Sequence, residues 1–152
     1  MSAPSPQIQL EGFLDRFSPE IAAVARAALV KMRAKLPGAI ELVYDNYNAL
    51  AVGWGPDEKA SHAIFSIAVF PRSVALCFTH GVGLPDPAGR LRGGGNQVRN
   101  VRLERAETLD EPAVIALIAE AQARAIVPLD PAQPYRLVIK SISAKQRPRR
   151  PA

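Results

Sequence analysis

The sequence predicts an α+β protein, a two-layer sandwich in which an antiparallel sheet of about five to six strands carries two main helices on one face. Apolar residues recur at helical spacing in two segments, one early and one late in the chain. Between them lie short segments in which apolar residues alternate with a period of two, as in strands. Because these strands follow one another without intervening helices, we expect antiparallel meanders around the single core of a 152-residue chain.

The first main helix starts at residues 18–20, where serine, proline and glutamate supply an N-cap, a first helical residue and an acid in the first turn. Its apolar side chains keep helical spacing until residues 36–38, where Leu-Pro-Gly ends the helix. A shorter helix over residues 8–17 precedes it. The second main helix begins with Asp110 as its N-cap and is stopped by Pro128.

The strands follow from the alternating segments. These are residues 40–44, 50–54, 62–70, 73–80, 98–104 and 135–143. The third and fourth form a hairpin whose register places Val69 opposite Val74, so that the large apolar side chains of both strands share one face. The same register places Phe65 opposite Phe78, and Ala63 opposite His80.

Residues 8–143 form one domain of this kind, and residues 144–152 form a basic tail, rich in arginine and proline, that we expect to be flexible. Residues 136–152 carry six bases and no acid, whereas residues 1–135 hold 13 bases against 14 acids. The net charge of +5 therefore belongs to the C-terminal segment. Such a tail contacts nucleic acid non-specifically, but we favour a solubilising end without a partner.

Composition also bears on the compartment. The longest nearly apolar stretch, residues 63–70, is too short to cross a bilayer, so we expect no membrane association. The single cysteine, Cys77, excludes an intrachain disulfide and fits a reducing cytoplasm. Its position between apolar neighbours predicts a buried, inert thiol.

Six of the ten glycines lie in residues 81–103, the most unusual segment of the chain. A phosphate-binding P-loop needs a lysine and a following helix, whereas here strand-like residues follow the glycines. Two interpretations stay open: a wide connection between strands, which we favour, and a nest of backbone N–H groups that binds an anion. The residues of the anion hypothesis are Gly93, Gly94, Gly95 and Asn96, with help from Arg90, Arg92 and Arg99.

Arg99 is the central side chain of that hypothesis. It has the same parity as Val101 and Leu103, so we expect it to point toward the covered side of the sheet. Its structural alternative is an ion pair with Asp86 that holds the loop. Asp86, Pro87 and Gly89 are accordingly assigned to the structure of the loop.

The sequence predicts no catalytic residues and no metal ligands. The register places His62 and His80 on opposite faces of the hairpin, which argues against a shared metal ion. Cys77 and His80 are likewise not on one face, and no nucleophile elbow occurs. Trp54, between two glycines, is a candidate lining residue of a ligand pocket, although core packing is its commoner use.

Several motifs resemble the YdhG-like family of small bacterial domains. They are Tyr-Asp-Asn-Tyr-Asn at residues 44–48, residues 65–71, Gly81-x-x-Leu84-Pro85-Asp86-Pro87, Leu91-x-Gly93-x-Gly95 and Val98-Arg99-x-Val101. The resemblance covers roughly residues 10–125 and implies a helix-flanked antiparallel sheet of frataxin-like appearance. One branch is described as a frataxin-like intracellular iron chaperone, so the resemblance implies iron as a possible cargo, without any ligand residue. Family members often carry lysine where this chain has Asn96.

The expected function is a cytoplasmic, non-catalytic module. It binds a small ligand, an anion in the first place, or a partner protein through the glycine-rich loop and the mouth of the sheet. The alternatives are the iron chaperone implied by the resemblance and weak nucleic-acid contact through the tail.

Overall fold

The structure, a computed structural model, describes residues 4–151 and has three α-helices and six strands within that range. The elements are α1 (Pro6–Leu14), α2 (Pro19–Lys35), β1 (Ile40–Asp45), β2 (Leu50–Gly55), β3 (Phe65–Phe70), β4 (Ser73–Phe78), β5 (Arg99–Arg102), α3 (Pro112–Ala123) and β6 (Arg136–Ile142). Short 3-10 helices lie at Ala60–His62 and Ala106–Asp110. The α+β two-layer sandwich is confirmed. Ala152, the last residue of the predicted tail, lies outside the described residues.

The sheet is open and mixed, with the strand order β5-β4-β3-β2-β1-β6. Four neighbouring pairs are antiparallel, as predicted. The prediction is wrong for β6, which lies parallel to β1, with Ile40 opposite Arg136. The reason is the crossover: after β5 the chain passes through α3 and returns beyond β1, and a helical crossover of this kind can deliver a parallel strand.

The β3–β4 hairpin has the predicted register, with Val69 opposite Val74 and Phe65 opposite Phe78. Both strands are shorter than predicted, because the chain before Phe65 turns into the 3-10 helix Ala60–His62. This segment packs closely on β2, where a Cβ at Gly55 would lie 3.0 Å from the Cα of Ala63. The predicted pair of Ala63 and His80 is therefore not formed.

The core lies between the helices and one face of the sheet. Its largest fully buried side chains on that side include Leu14, Phe17, Leu29, Met32, Leu50, Trp54, Phe65, Ile67, Leu76 and Phe78. The rings of Phe65 and Phe78 pack edge to face, with centroids 5.6 Å apart. Cys77 lies on the other face and is half-buried rather than buried, and desolvation raises the pKa of its thiol.

The start of α2 is as predicted, since the Ser18 side chain accepts a hydrogen bond from the backbone N–H of Ile21 at 3.4 Å. The predicted cap of the second main helix is wrong. Asp110 ends the preceding 3-10 helix and accepts hydrogen bonds from Lys31 and Lys35 instead. Because Pro112 occupies the first turn of α3, the cap position falls on Glu111, which makes no capping side-chain bond. The helix ends at Ala123, well before the predicted stop at Pro128.

The C-terminal segment packs on the body of the protein, which differs from the flexible tail that its composition predicts. Arg149 is only 3% exposed, and its Nη2 lies 2.9 Å from Oδ1 of the equally buried Asp45. The backbone N–H of Arg147 donates to the carbonyl of Tyr47 at 2.9 Å. The partners of the tail are thus a buried carboxylate and the carbonyl groups of the β1–β2 turn, which composition does not reveal.

Candidate anion-binding site

The connection between β4 and β5 is a folded loop held by its own backbone. The N–H and C=O groups of Arg92 and Asn100 exchange hydrogen bonds of 2.8 and 2.9 Å, so that the loop pairs with the outer edge of β5. Gly81 lies directly against Arg99, because a Cβ at this glycine would be 2.6 Å from that of Arg99. Gly93 has φ of +122°, a conformation that L side chains rarely adopt.

Asp86 organises the first part of this loop. Its carboxylate accepts hydrogen bonds from the backbone N–H groups of Leu91 at 2.9 Å and Arg90 at 2.8 Å. These bonds, chiefly that from Leu91, lower the pKa of Asp86. Gly89 closes the turn that contains Pro87. Gly89 has φ of +65°, and its backbone N–H donates to the carbonyl oxygen of Asp86 at 3.1 Å.

The predicted ion pair between Asp86 and Arg99 is wrong. The Asp86 carboxylate turns back on its own loop, as described above. Nη1 of Arg99 donates instead to the carbonyl oxygens of Gly95 and Val98, at 2.8 Å for Val98. Arg99 therefore braces the end of the loop and is half-buried there.

The other residues of the anion hypothesis do not form one site in the folded chain. Gly93, Gly94, Gly95 and Asn96 lie exposed at the rim of the loop. Trp54 is wrong as a pocket-lining residue, because it is 1% exposed and its Nε1 donates to the buried carboxylate of Glu41 at 2.8 Å. Arg90 and Arg92 are the residues of the hypothesis that line a cavity.

That cavity, of about 300 Å³, lies between β5, the loop and the start of α3, and we call it the arginine groove. Its lining residues are Arg90, Arg92, Val101, Arg102, Glu104, Arg105, Thr108 and Glu111. Three different elements supply the four arginines: the glycine-rich loop, β5 and the segment that follows β5. Only the folded chain brings these four arginine residues to one cavity, so the sequence pattern does not indicate the set.

The electrostatics of the groove are unbalanced. Arg90 pairs with Glu111, with Nη1 and Oε1 3.0 Å apart, and this contact lowers the pKa of Glu111. Arg105 lies 3.7 Å from a carboxylate oxygen of Glu107. Within residues 4–151 neither of the other two arginines of the groove belongs to an ion pair.

Among the described residues, Arg92 and Arg102 are the arginines of the groove without a carboxylate partner. The guanidinium of Arg92 donates to the carbonyl oxygens of Gly89 and Leu91, and both arginines are exposed to solvent. A guanidinium presents its donors in a planar fork that matches phosphate and carboxylate groups. The groove thus has the chemistry of an anion-binding site.

The two histidines come together, which overturns their predicted placement on opposite faces. Both line a small pocket of about 30 Å³ beside the end of α3. Alternation fails here because His62 and His80 lie outside the strands. Nδ1 of His62 is 2.8 Å from Oδ2 of Asp57, and this hydrogen bond lowers the pKa of Asp57. Residues 4–151 contain no group of three or more histidine, cysteine or acidic side chains placed to hold a metal ion.

Sequence reasoning also missed a buried polar cluster around Glu41. Its carboxylate accepts two hydrogen bonds from Arg33, at 2.8 and 2.7 Å, besides that from Trp54. Tyr135 lies beside this pair, and burial raises the pKa of Tyr135 to about 12. The alternation of the predicted strand 40–44 could have indicated the cluster, because it places Glu41 on the same face as the apolar Val43.

Comparison of the chain with protein-family models, with curated proteins and with solved structures finds no match. The resemblance to YdhG-like domains therefore stays a prediction that rests on the motifs, and so does the iron chaperone that it implies. In the part of the chain that the structure describes, no helix combines the length and the apolar character needed to cross a membrane.

Proposed function

We propose that this protein is a non-catalytic module that binds a small anion, with phosphate or carboxylate groups, in the arginine groove. The observation that carries the proposal is the convergence of four arginines on one cavity of about 300 Å³. Arg92 and Arg102 are the two that have no carboxylate partner among the ion pairs of residues 4–151. An anion that enters the groove supplies the missing partner.

The surrounding structure supports binding because it positions the arginines before a ligand arrives. The two Asp86 hydrogen bonds fix the backbone at Arg90 and Leu91. The pairing with Asn100 then fixes the backbone at Arg92. A site held in this way loses less conformational entropy on binding than a flexible loop does.

The sequence favoured Arg99 as the ligand residue, whereas the ligand is proposed to bind in the arginine groove. Arg99 does not line the arginine groove, and its Nη1 donates to the carbonyl oxygens of Gly95 and Val98 at the end of the loop. Arg99 thus supports the structure of the loop, and Arg92 of the loop and Arg102 of β5 are the residues proposed to bind the anion.

The test uses inorganic pyrophosphate and NMR chemical shifts of the backbone amides. We expect saturable shifts at β5 and at the start of α3 in the unmodified protein. The double variant Arg92→Gln/Arg102→Gln should bind at least about tenfold more weakly, because each lost charge-assisted hydrogen bond costs on the order of 1.5 kcal/mol or more.

The matched control is Arg136→Gln, which removes an exposed arginine from the strand at the opposite edge of the sheet. It should leave pyrophosphate binding unchanged. Equal affinity in the double variant and in this control, or shifts confined to other parts of the molecule, would overturn the proposal.

A further inference from the structure

We infer that the arginine groove is one end of a longer surface that binds the phosphate backbone of single-stranded nucleic acid. This inference rests on the proposed function, since it takes the groove as an anion site and extends it. Three observations carry it: the continuity of neighbouring cavities, the distribution of charge and the position of two exposed aromatic rings.

The first observation is that three cavities share lining residues in sequence. A middle cavity of about 200 Å³, between α2 and the start of β4, shares Arg102 and Glu104 with the arginine groove. A tail cavity of about 750 Å³ shares Arg72 with the middle cavity. We call the three together the polyanion surface. A ligand that follows it meets arginine side chains from the glycine-rich loop to the C-terminal segment.

The second observation is that this surface holds the charge imbalance of the chain. Its arginines are Arg72, Arg90, Arg92, Arg102, Arg105, Arg147 and Arg150, and its acids are Glu104 and Glu111. The surface thus takes seven of the 19 bases and two of the 14 acids, which leaves 12 of each for the rest of the chain. The polyanion surface therefore has a formal charge of +5, and the remainder of the chain is formally neutral. Five of its seven arginines lie outside residues 136–152, so in the folded chain the excess charge is not confined to the C-terminal segment to which composition assigned it.

The third observation is that two aromatic rings are exposed at or near the tail cavity. Phe70 lines the tail cavity and is 38% exposed. Nearby, the guanidinium of Arg147 lies 5.6 Å from the ring centroid of Tyr47, which is itself 44% exposed. Exposed rings among arginines offer stacking platforms to bases. Only unpaired bases present their faces to such rings, so the chemistry selects a single strand over a duplex.

The packing of the C-terminal segment makes this surface a fixed one. The buried pair of Arg149 and Asp45 anchors the segment. On either side of the anchor, Arg147 is held at Tyr47, and Arg150 donates to the carbonyl oxygens of Arg16 and Asp15. The basic residues of the tail are therefore presented together with Arg72, and not on a free end.

The test measures fluorescence anisotropy of labelled oligothymidylates of about 4 and about 16 nucleotides, the range of typical single-strand sites. We expect the longer oligonucleotide to bind more tightly, with an affinity that falls steeply between about 50 and about 200 mM salt. Arg72→Gln should reduce the slope of log affinity against log salt by about 0.7, the value for one lost phosphate contact with a single strand. Arg136→Gln is again the control and should leave the slope unchanged.

Arg72 lies outside the arginine groove, so Arg72→Gln should leave pyrophosphate binding intact. Equal affinity for the two oligonucleotide lengths, an Arg72→Gln slope equal to that of the control, or tighter binding of a duplex or of polyglutamate would each overturn the inference. If these failures occur while pyrophosphate still shifts the amides of β5, the proposed function stands without its extension. If the oligonucleotide test fails and pyrophosphate also causes no shifts at β5, both the inference and the proposed function are overturned.

Discussion

Glu41 is fully buried, and both oxygens of its carboxylate have donors. Nε and Nη2 of Arg33 form a bidentate pair with it, and Nε1 of Trp54 donates to the same carboxylate. A buried charge that is paired and fully hydrogen-bonded is tolerated, whereas removal of one partner leaves the others desolvated and unsatisfied. At the scale of single residues, this cluster ties α2 to β1 and β2.

We expect Glu41→Ala to lower the free energy of unfolding by about 3 kcal/mol, the low end for a broken buried pair because Arg33 is partly exposed. Urea unfolding followed by the fluorescence of Trp54, the single tryptophan, measures the change. The control, Glu58→Ala, removes an exposed partner of Arg136 and should leave the free energy of unfolding nearly unchanged, because solvent screens exposed ion pairs. Equal losses in the two variants would show that the buried pair does not stabilise the fold.

At the scale of elements, the glycine-rich loop depends on one carboxylate. Because hydrogen bonds from Leu91 and Arg90 lower the pKa of Asp86 in the folded protein, its contribution to stability is fully present above the unfolded pKa of about 3.9. That contribution is lost as the pH falls through the lower, folded pKa. The carboxylate that shapes the loop therefore titrates only in acid.

NMR titration of the backbone amides checks this. We expect the amides of Leu91 and Arg90 to shift with a common midpoint below about 3.9, the value of an unperturbed aspartate. In Asp86→Asn this titration should disappear, and the loop amides should lose hydrogen-exchange protection at neutral pH. A midpoint at or above the ordinary value would contradict the role given to Asp86.

The same scale shows where the sequence was informative. The register of the β3–β4 hairpin was predictable, although the strand ends were not, because the large apolar side chains on both strands are buried together in that register. His62 and His80 were placed wrongly because alternation was extended past the strand ends, where the chain turns. The pairing of Asp86 with Arg99 failed because local backbone N–H groups satisfy the aspartate, and sequence spacing does not reveal such competition. The arginine groove needs contributions from three elements, so only the fold could bring it together.

At the scale of the whole molecule, the C-terminal segment belongs to the folded body. We expect Arg149→Met to lower the free energy of unfolding by about 3 to 5 kcal/mol, because Asp45 is 1% exposed and loses its closest cationic partner. Urea unfolding again measures it. Lys145→Met, an exposed change in the same segment, is the control and should stay within about 0.5 kcal/mol.

The double variant Asp45→Asn/Arg149→Met separates the ion pair from packing. It should recover part of the loss, since it removes the uncompensated charge together with its partner. If Arg149→Met is as stable as the control, the segment does not contribute to the stability of the fold. The arginines that it supplies to the tail cavity would then not be held in place.

The parallel pairing of β6 with β1 has a consequence for how the chain reaches this structure. β1 is made early, but its outer edge finds its partner only after β2 to β5 and α3 have been synthesised. Until then an apolar strand presents unpaired N–H and C=O groups, and such an edge is a template for association between chains. Contacts between strands so distant in sequence form slowly, so we expect the β1–β6 pair to form late and this edge to stay open to association until then. Yield during refolding should therefore fall steeply with protein concentration, even though the finished sheet covers that edge.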